Sequence, residues 1–202
     1  VNFLSRVYLK ILKEWWQLYI PIRLRAMGVV LGKDVRFYGM PIVRITKGST
    51  IFIGDRVVLC SDSRFTDLGV NHPVVLRTLR AGAQIVIGND SGLSGSSLCA
   101  AISIQLGKEC LLGANVTIAD TDFHALKPDG RRFNGNPLDI GAAPVRIEDN
   151  VFIGTGALVL KGVTIGMNSV IGAMSVVNKN IDANVIAAGV PARMIREIKN
   201  AL

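Results

Sequence analysis

"VRIEDNVFIGTGALVLKGVTIGMNSVIGAMSVVNKN", Val145–Asn180, repeats itself every six residues. Steps of six from Ile147 land on Ile153, Val159, Ile165, Ile171 and Val177. Steps of six from Val151 land on Ala157, Val163, Ser169, Ser175 and Ile181, which are small or β-branched. Gly154, Gly166 and Gly172 each follow an aliphatic residue. An apolar period of six fits neither an α-helix nor simple strand alternation. It predicts a solenoid in which each hexad supplies one short strand and one corner. Three hexads close a triangular coil, and stacked coils bury a continuous aliphatic core that no single coil could bury alone. Glycine suits the corners through unusual backbone angles or close backbone approach.

The same phase recurs upstream. Ile87, Leu93 and Cys99 are six apart, as are Leu106, Leu112 and Ile118, and Ile53, Leu59 and Phe65 form a weaker set. The phase slips between Leu59 and Ile87 and again between Ile118 and Ile147. Each slip predicts a loop thrown out of the coil, near residues 60–84 and 120–144. The chain's two histidines, His72 and His124, fall in those two loops. Long irregular loops in a compact repeat usually carry function, while the regular coils provide a rigid mount. The expected organisation is a helical segment over 1–29, the β-helix over 30–190 and a short helical tail over 191–202.

Composition agrees with many short strands. Half of the 202 residues are apolar, aromatics are scarce and there are 21 glycines. No apolar run reaches the roughly 18 residues of a membrane span, and no secretory leader is legible, so a cytoplasmic setting is expected. Cys60, Cys99 and Cys110 form no CxxC pair, which predicts reduced cysteines. Cys99 and Cys110 take inward positions of the repeat and read as small core residues. The net charge is +8, and most of the excess lies in residues 1–36, with seven cations against Glu14 and Asp34. Residues 3–20 place Leu4, Tyr8, Ile11, Trp15 and Leu18 on one helical face, with Arg6, Lys10, Lys13, Glu14 and Gln17 on the polar side. Two uses fit such a helix: a cap over the first coil, and contact of residues 1–25 with an anionic membrane. Nucleic acid is not an expected partner, because the cations are not interleaved with stacking aromatics.

Pro144–Ile198 resembles the hexapeptide-repeat acyltransferases, through "GVTIG" at 162–166, "NSVIGA" at 168–173 and "AAGVPAR" at 187–193. The likeness is to sugar O-acetyltransferases of the galactoside and maltose type and of surface-polysaccharide synthesis. It implies an all-β fold, a left-handed parallel β-helix, assembled as a homotrimer with active sites between subunits. It implies acetyl-CoA as acyl donor, a sugar or glycan hydroxyl as acceptor, and no metal. His124, in "DTDFHAL", takes the place of the family's general base, and Asp120 or Asp122 would orient its imidazole. Alternation puts both aspartates on one side of an extended segment. Family position makes the Thr155 N–H an oxyanion donor. Thr155, Gly156 and Ala173 become residues of the coenzyme A groove, and Lys179, Arg193 and Arg196 its phosphate partners. Asn178-Lys179-Asn180 departs from a common "TKD" pattern, so a threonine contact is absent. Arg131, Arg132 and Asn136 in the second loop, and Asn71 and His72 in the first, are candidates for acceptor contact.

Three rivals stand beside this reading. An N-acyltransferase on an amino sugar or nucleotide sugar uses nearly the same chemistry. A metal lyase on a β-helix needs three histidine ligands, and this chain has two histidines. A non-catalytic β-helix scaffold would neither bind coenzyme A nor need His124.

Overall fold

The structure is a computed structural model and describes residues 3–199. One helix, Phe3–Ala26, leads into short strands that wind around a three-sided prism. The first face stacks Val30–Leu31, Thr50–Ile53, Gln84–Ile87, Ser103–Leu106, Val145–Ile147 and Thr164–Ile165. The second runs from Arg36–Tyr38 through Val58–Cys60, Gly92–Ser94, Leu111–Leu112, Phe152–Ile153 and Val170–Ile171 to Val185–Gly189. The third stacks Ile42–Arg44, Val75–Thr78, Ser97–Ala100, Thr117–Ala119, Leu158–Val159 and Val176–Val177. All these neighbours pair in parallel, so each circuit of the chain adds one strand to every face.

The repeat dictates this packing directly. Ile147, Ile153, Val159, Ile165, Ile171 and Val177 are buried at the prism axis, and Val151, Ala157, Val163, Ser169 and Ser175 are buried with them. The two buried serines are satisfied by the last coil. Ser169 Oγ donates to Asp182 O at 2.7 Å, and Ser175 Oγ accepts from Gly189 N–H at 3.1 Å. The hexad glycines are needed for close approach. A Cβ on Gly154 would stand 2.5 Å from Ala173 N, and one on Gly166 would collide with the backbone of Ala183. The left-handed corner positions fall to other residues: Asn150, Asn168 and Asn184 have φ near +60° and stack, with side-chain amide bonds of 3.0 and 2.8 Å.

Four expectations are corrected. Cys99 does not point inward: Leu98 is fully buried in its stead and Cys99 is half-buried, because the corner after Leu93 is one residue shorter than a hexad. Cys110 is buried as expected. Phe65 leaves the coil for the first loop, where its ring meets Trp16 and Tyr38. The tail is not helical. Ala192–Glu197 forms a strand antiparallel to Val185–Gly189, because the last strand of the second face would otherwise present an unpaired edge. The expected segments also reach residues 1–2 and 200–202, which lie outside the described residues.

The fourth correction concerns the first helix. The face that caps the prism is not the apolar stripe Leu4–Leu18 but its opposite. Ile20 and Leu24 are buried, and Trp16 packs against the core. Gln17, read as polar and outward, pairs with Phe37: its Nε2 donates to Phe37 O at 2.6 Å and its Oε1 accepts from Phe37 N–H at 3.0 Å. That amide satisfies backbone groups on the edge of the first coil.

Candidate active site

The second loop leaves the edge between the third and first faces, after Thr117–Ala119, and returns at Val145. Its root is held from two directions. Asp120 is fully buried, and its carboxylate accepts the N–H groups of Ala101, Ile102 and Ser103 at 2.6, 2.7 and 2.7 Å. Those three residues form the corner of the coil below. Asp122 turns to the coil above, where Lys161 Nζ lies 2.6 Å from its Oδ1. Its Oδ2 is buried and has no hydrogen-bond partner among the described residues. The two carboxylates thus do not share a side of an extended segment. Asp120 is engaged by three backbone donors, which tie its carboxylate to the corner at 101–103.

The returning strand closes the root. Thr121 bridges Ala142 in antiparallel fashion, Asp122 N–H donates to Gly141 O at 2.9 Å, and Ala143 N–H donates to Asp120 O at 2.9 Å. A Cβ at Gly141 would stand 2.6 Å from Asp122 Oδ2, so any larger residue would push that carboxylate aside. Beyond this clamp the chain makes a three-residue turn. His124 N–H donates to Asp122 O at 2.7 Å across Phe123, whose φ is +62°. That is the rare γ-turn, a strained conformation for a bulky residue. It throws His124 outward. The imidazole is exposed and has no hydrogen-bond partner among the described residues. With Pro128, Arg131 and Arg132 it walls an open cavity of about 450 Å³.

The loop's other polar residues do different work. Arg131 Nη2 donates to Leu126 O at 2.6 Å, which holds the loop together while its guanidinium borders the cavity. Asn136 does not reach the cavity. It caps a short turn, with Oδ1 accepting Leu138 N–H at 3.1 Å. Arg80 Nη2 donates to Ile140 O at 3.1 Å and draws the returning limb back along the prism edge.

Thr155, Gly156 and Ala173 lie on the neighbouring edge, between the second and third faces. They form a continuous rail of small residues. Gly156 N–H donates to Ala114 O and Met174 N–H to Thr155 O, each at 2.8 Å. The N–H groups of Thr155 and Ala173 have no acceptor among the described residues. The first loop leaves this same edge lower down. Val70 rests on Gly95, Asn71 N–H donates to Asn115 Oδ1 at 2.7 Å, and His72 Nδ1 lies 2.8 Å from Pro73 O. Lys179 and Arg193 share a cavity of about 280 Å³ near the C-terminal end, and neither has an acidic partner among the described residues. Arg196 is not part of that cavity and stands exposed on the last strand. Asn180 Oδ1 accepts Thr164 N–H at 2.8 Å and stitches adjacent coils.

A single chain therefore brings His124, Arg131 and Arg132 together and Lys179 with Arg193. It sets the Thr155 rail and His72 apart from His124, on the far border of the third face. Lys161 escaped the sequence reading. Its signal is register: Ile118 pairs with Val159, so the lysine stacks over the loop's root one coil above. No group of three or more His, Cys, Asp or Glu side chains that could hold a metal lies among the described residues.

This repeat and prism define a class. Residues 144–179 match the bacterial transferase hexapeptide family (six repeats), and residues 84–119 match the hexapeptide repeat of succinyl-transferase. These two segments are similar to the repeats of hexapeptide transferases. It is 42% identical over 101 residues to the galactoside O-acetyltransferase of Escherichia coli K12, covering 48% of this chain and 46% of that protein. The chain thus spans about half the length of the curated relatives it matches. Among solved structures, a maltose O-acetyltransferase from Clostridium difficile 630 is similar with a TM-score of 0.54 and 26% identity, over 96% of this chain and 87% of that one. AntD, an N-acyltransferase from Bacillus cereus solved with dTDP and 3-hydroxybutyryl-CoA, shares the fold with a TM-score of 0.70. Its identity is 19%, over 90% of this chain and 89% of that one.

Proposed function

We propose that the protein is a cytoplasmic, acetyl-CoA-dependent O-acetyltransferase acting on a sugar hydroxyl, with a bacterial surface polysaccharide or its precursor as acceptor. The observation that carries this reading is the unpaired, outward imidazole of His124, mounted on a doubly clamped root beside a cavity with two arginines. A hydroxyl is a poor nucleophile at neutral pH. His124 takes its proton as the oxygen attacks the thioester carbonyl. The tetrahedral oxyanion is met by a backbone N–H, for which Thr155 is the candidate. Collapse expels the coenzyme A thiolate, which receives the proton from the imidazolium. Asp122 acts through the turn it anchors, its carbonyl accepting the His124 N–H.

In a left-handed β-helix assembled as a homotrimer, the His124 edge of one copy would face the Thr155 rail of the next. That arrangement would unite the two groups that one chain holds apart. Lys179 and Arg193 share their cavity with Asp182 but have no ion-pair partner among the described residues; they suit the phosphates of coenzyme A, and Arg196 is the outer candidate. Arg131 and Arg132 suit an anionic acceptor, with His72 and Asn71 lining the acceptor side from the first loop.

Calorimetric titration with acetyl-CoA at two salt concentrations tests the donor. One salt-sensitive site per chain supports the reading, and no binding leaves a scaffold. A panel of hydroxyl and amine acceptors then separates O-transfer from N-transfer to an amino sugar.

A further inference from the structure

The helix Phe3–Ala26 has two apolar sides, and the prism uses only one. Ile20, Leu24, Trp16 and Gln17 face the first coil. Opposite them, Leu4, Tyr8, Ile11, Trp15, Leu18 and Ile22 fall at spacings of four and three and are 56% to 75% exposed. This is an unbroken stripe of about 27 Å at 1.5 Å per residue. A soluble surface rarely leaves so long a contiguous apolar patch open. The helix is too polar to cross a membrane.

Charge selects the occupant. The helix carries Arg6, Lys10, Lys13, Arg23 and Arg25 against Glu14 alone. A second copy would bring a like-charged helix against it, whereas an anionic surface would neutralise it. At about 100° per residue, Arg6, Lys10 and Lys13 lie on the half away from the stripe, Lys13 over the Tyr38 ring. Glu14 lies about 80° to one side of the stripe. Arg25 lies about 60° to that same side and Arg23 about 100° to the other. From there both can reach headgroups while the stripe sinks below them. Trp15 and Tyr19 stack at 5.7 Å, and Tyr8 adds a third ring with a polar edge, the side chains favoured at a membrane boundary.

We propose that the stripe Leu4–Ile22 docks in the headgroup–acyl boundary of an anionic bilayer, with the prism held on the opposite side of the helix. The inference does not rest on acyl transfer.

The test is co-sedimentation of the full chain with vesicles of about one-third phosphatidylserine in phosphatidylcholine, against pure phosphatidylcholine. Binding to the anionic vesicles should be at least about tenfold tighter and should weaken with salt. The double variant Leu4→Asp, Ile11→Asp should lose it while keeping the wild-type melting temperature, since both side chains are largely exposed, at 75% and 64%. Absence of binding by the wild type, or equal binding by the variant, overturns the proposal. So does a wild-type assembly in solution that the double variant splits into smaller species, which would make the stripe an interface between copies.

Discussion

Lys161 Nζ lies 2.6 Å from Asp122 Oδ1, and the pair ties the root of the His124 loop to the coil above it. The lysine is 33% exposed and the aspartate 19%, so water screens the pair only in part. Lys161→Met would leave a largely buried carboxylate with neither oxygen paired. The loop should loosen, with a loss of stability of about 1–3 kcal/mol and a fall of roughly tenfold in turnover. Acetyl-CoA affinity should hold, because Lys161 is not on the Thr155 rail. Lys161→Arg should recover part of the turnover. Equal kinetics for Lys161→Met and wild type would remove the pair from any positioning role.

His124 carries the sharpest kinetic prediction. A general base is worth about 10²–10⁴-fold, so His124→Ala should lower turnover by at least about a hundredfold. The melting temperature and acetyl-CoA affinity should not change, because the imidazole is exposed and has no partner among the described residues. Near-normal turnover would end its candidacy.

Asp120 should behave in the opposite way. Its carboxylate satisfies three backbone donors inside the fold. Asp120→Ala would orphan all three, at about 1–3 kcal/mol each, read as a lower denaturation midpoint. A variant as stable as the wild type would show that the corner at 101–103 finds other acceptors.

These contrasts mark what the sequence could and could not disclose. The hexad series is legible because stacked coils force one inward aliphatic per strand, and every member from Ile147 to Val177 is buried. The loops are legible as slips in that series. The error at Cys99 arises where a corner is one residue short, which reverses in and out without breaking the apolar pattern. The tail misleads because local helix propensity is weaker than the demand of an open sheet edge. The first helix misleads for a different reason: its strongest apolar stripe is not its buried one, and a glutamine makes the cap. Lys161 is invisible locally, since it meets Asp122 across 39 residues and an irregular loop.

Close coil stacking predicts a glycine hierarchy. Gly154→Ala would press a Cβ to 2.5 Å from Ala173 N, which backbone cannot easily yield. The expected cost is about 1–3 kcal/mol. Gly135→Ala is the control: nothing lies within 4 Å of its added Cβ and its φ is not left-handed. Thermal melts should separate the two, and equal melting temperatures would mean the coils slide apart freely.

The cysteines offer a test of core integrity through pH. Burial pushes the Cys110 thiol from 9.0 up to about 11, and burial also raises Cys60 and Cys99. Below the unfolded value of 9.0, all thiols are neutral in both states and pH has no leverage through them. Above it, the unfolded chain ionises Cys110 while the folded chain does not. Stability should therefore fall as pH rises from about 9 toward 11, and Cys110→Ser should flatten that part of the profile. At pH 8 a thiol of pKa near 11 is about one part in a thousand thiolate, so Cys110 should resist thiol reagents until the protein is denatured. Rapid labelling of Cys110 in the native protein would mean that the prism opens at its fourth coil, and that the continuous aliphatic core is not closed there.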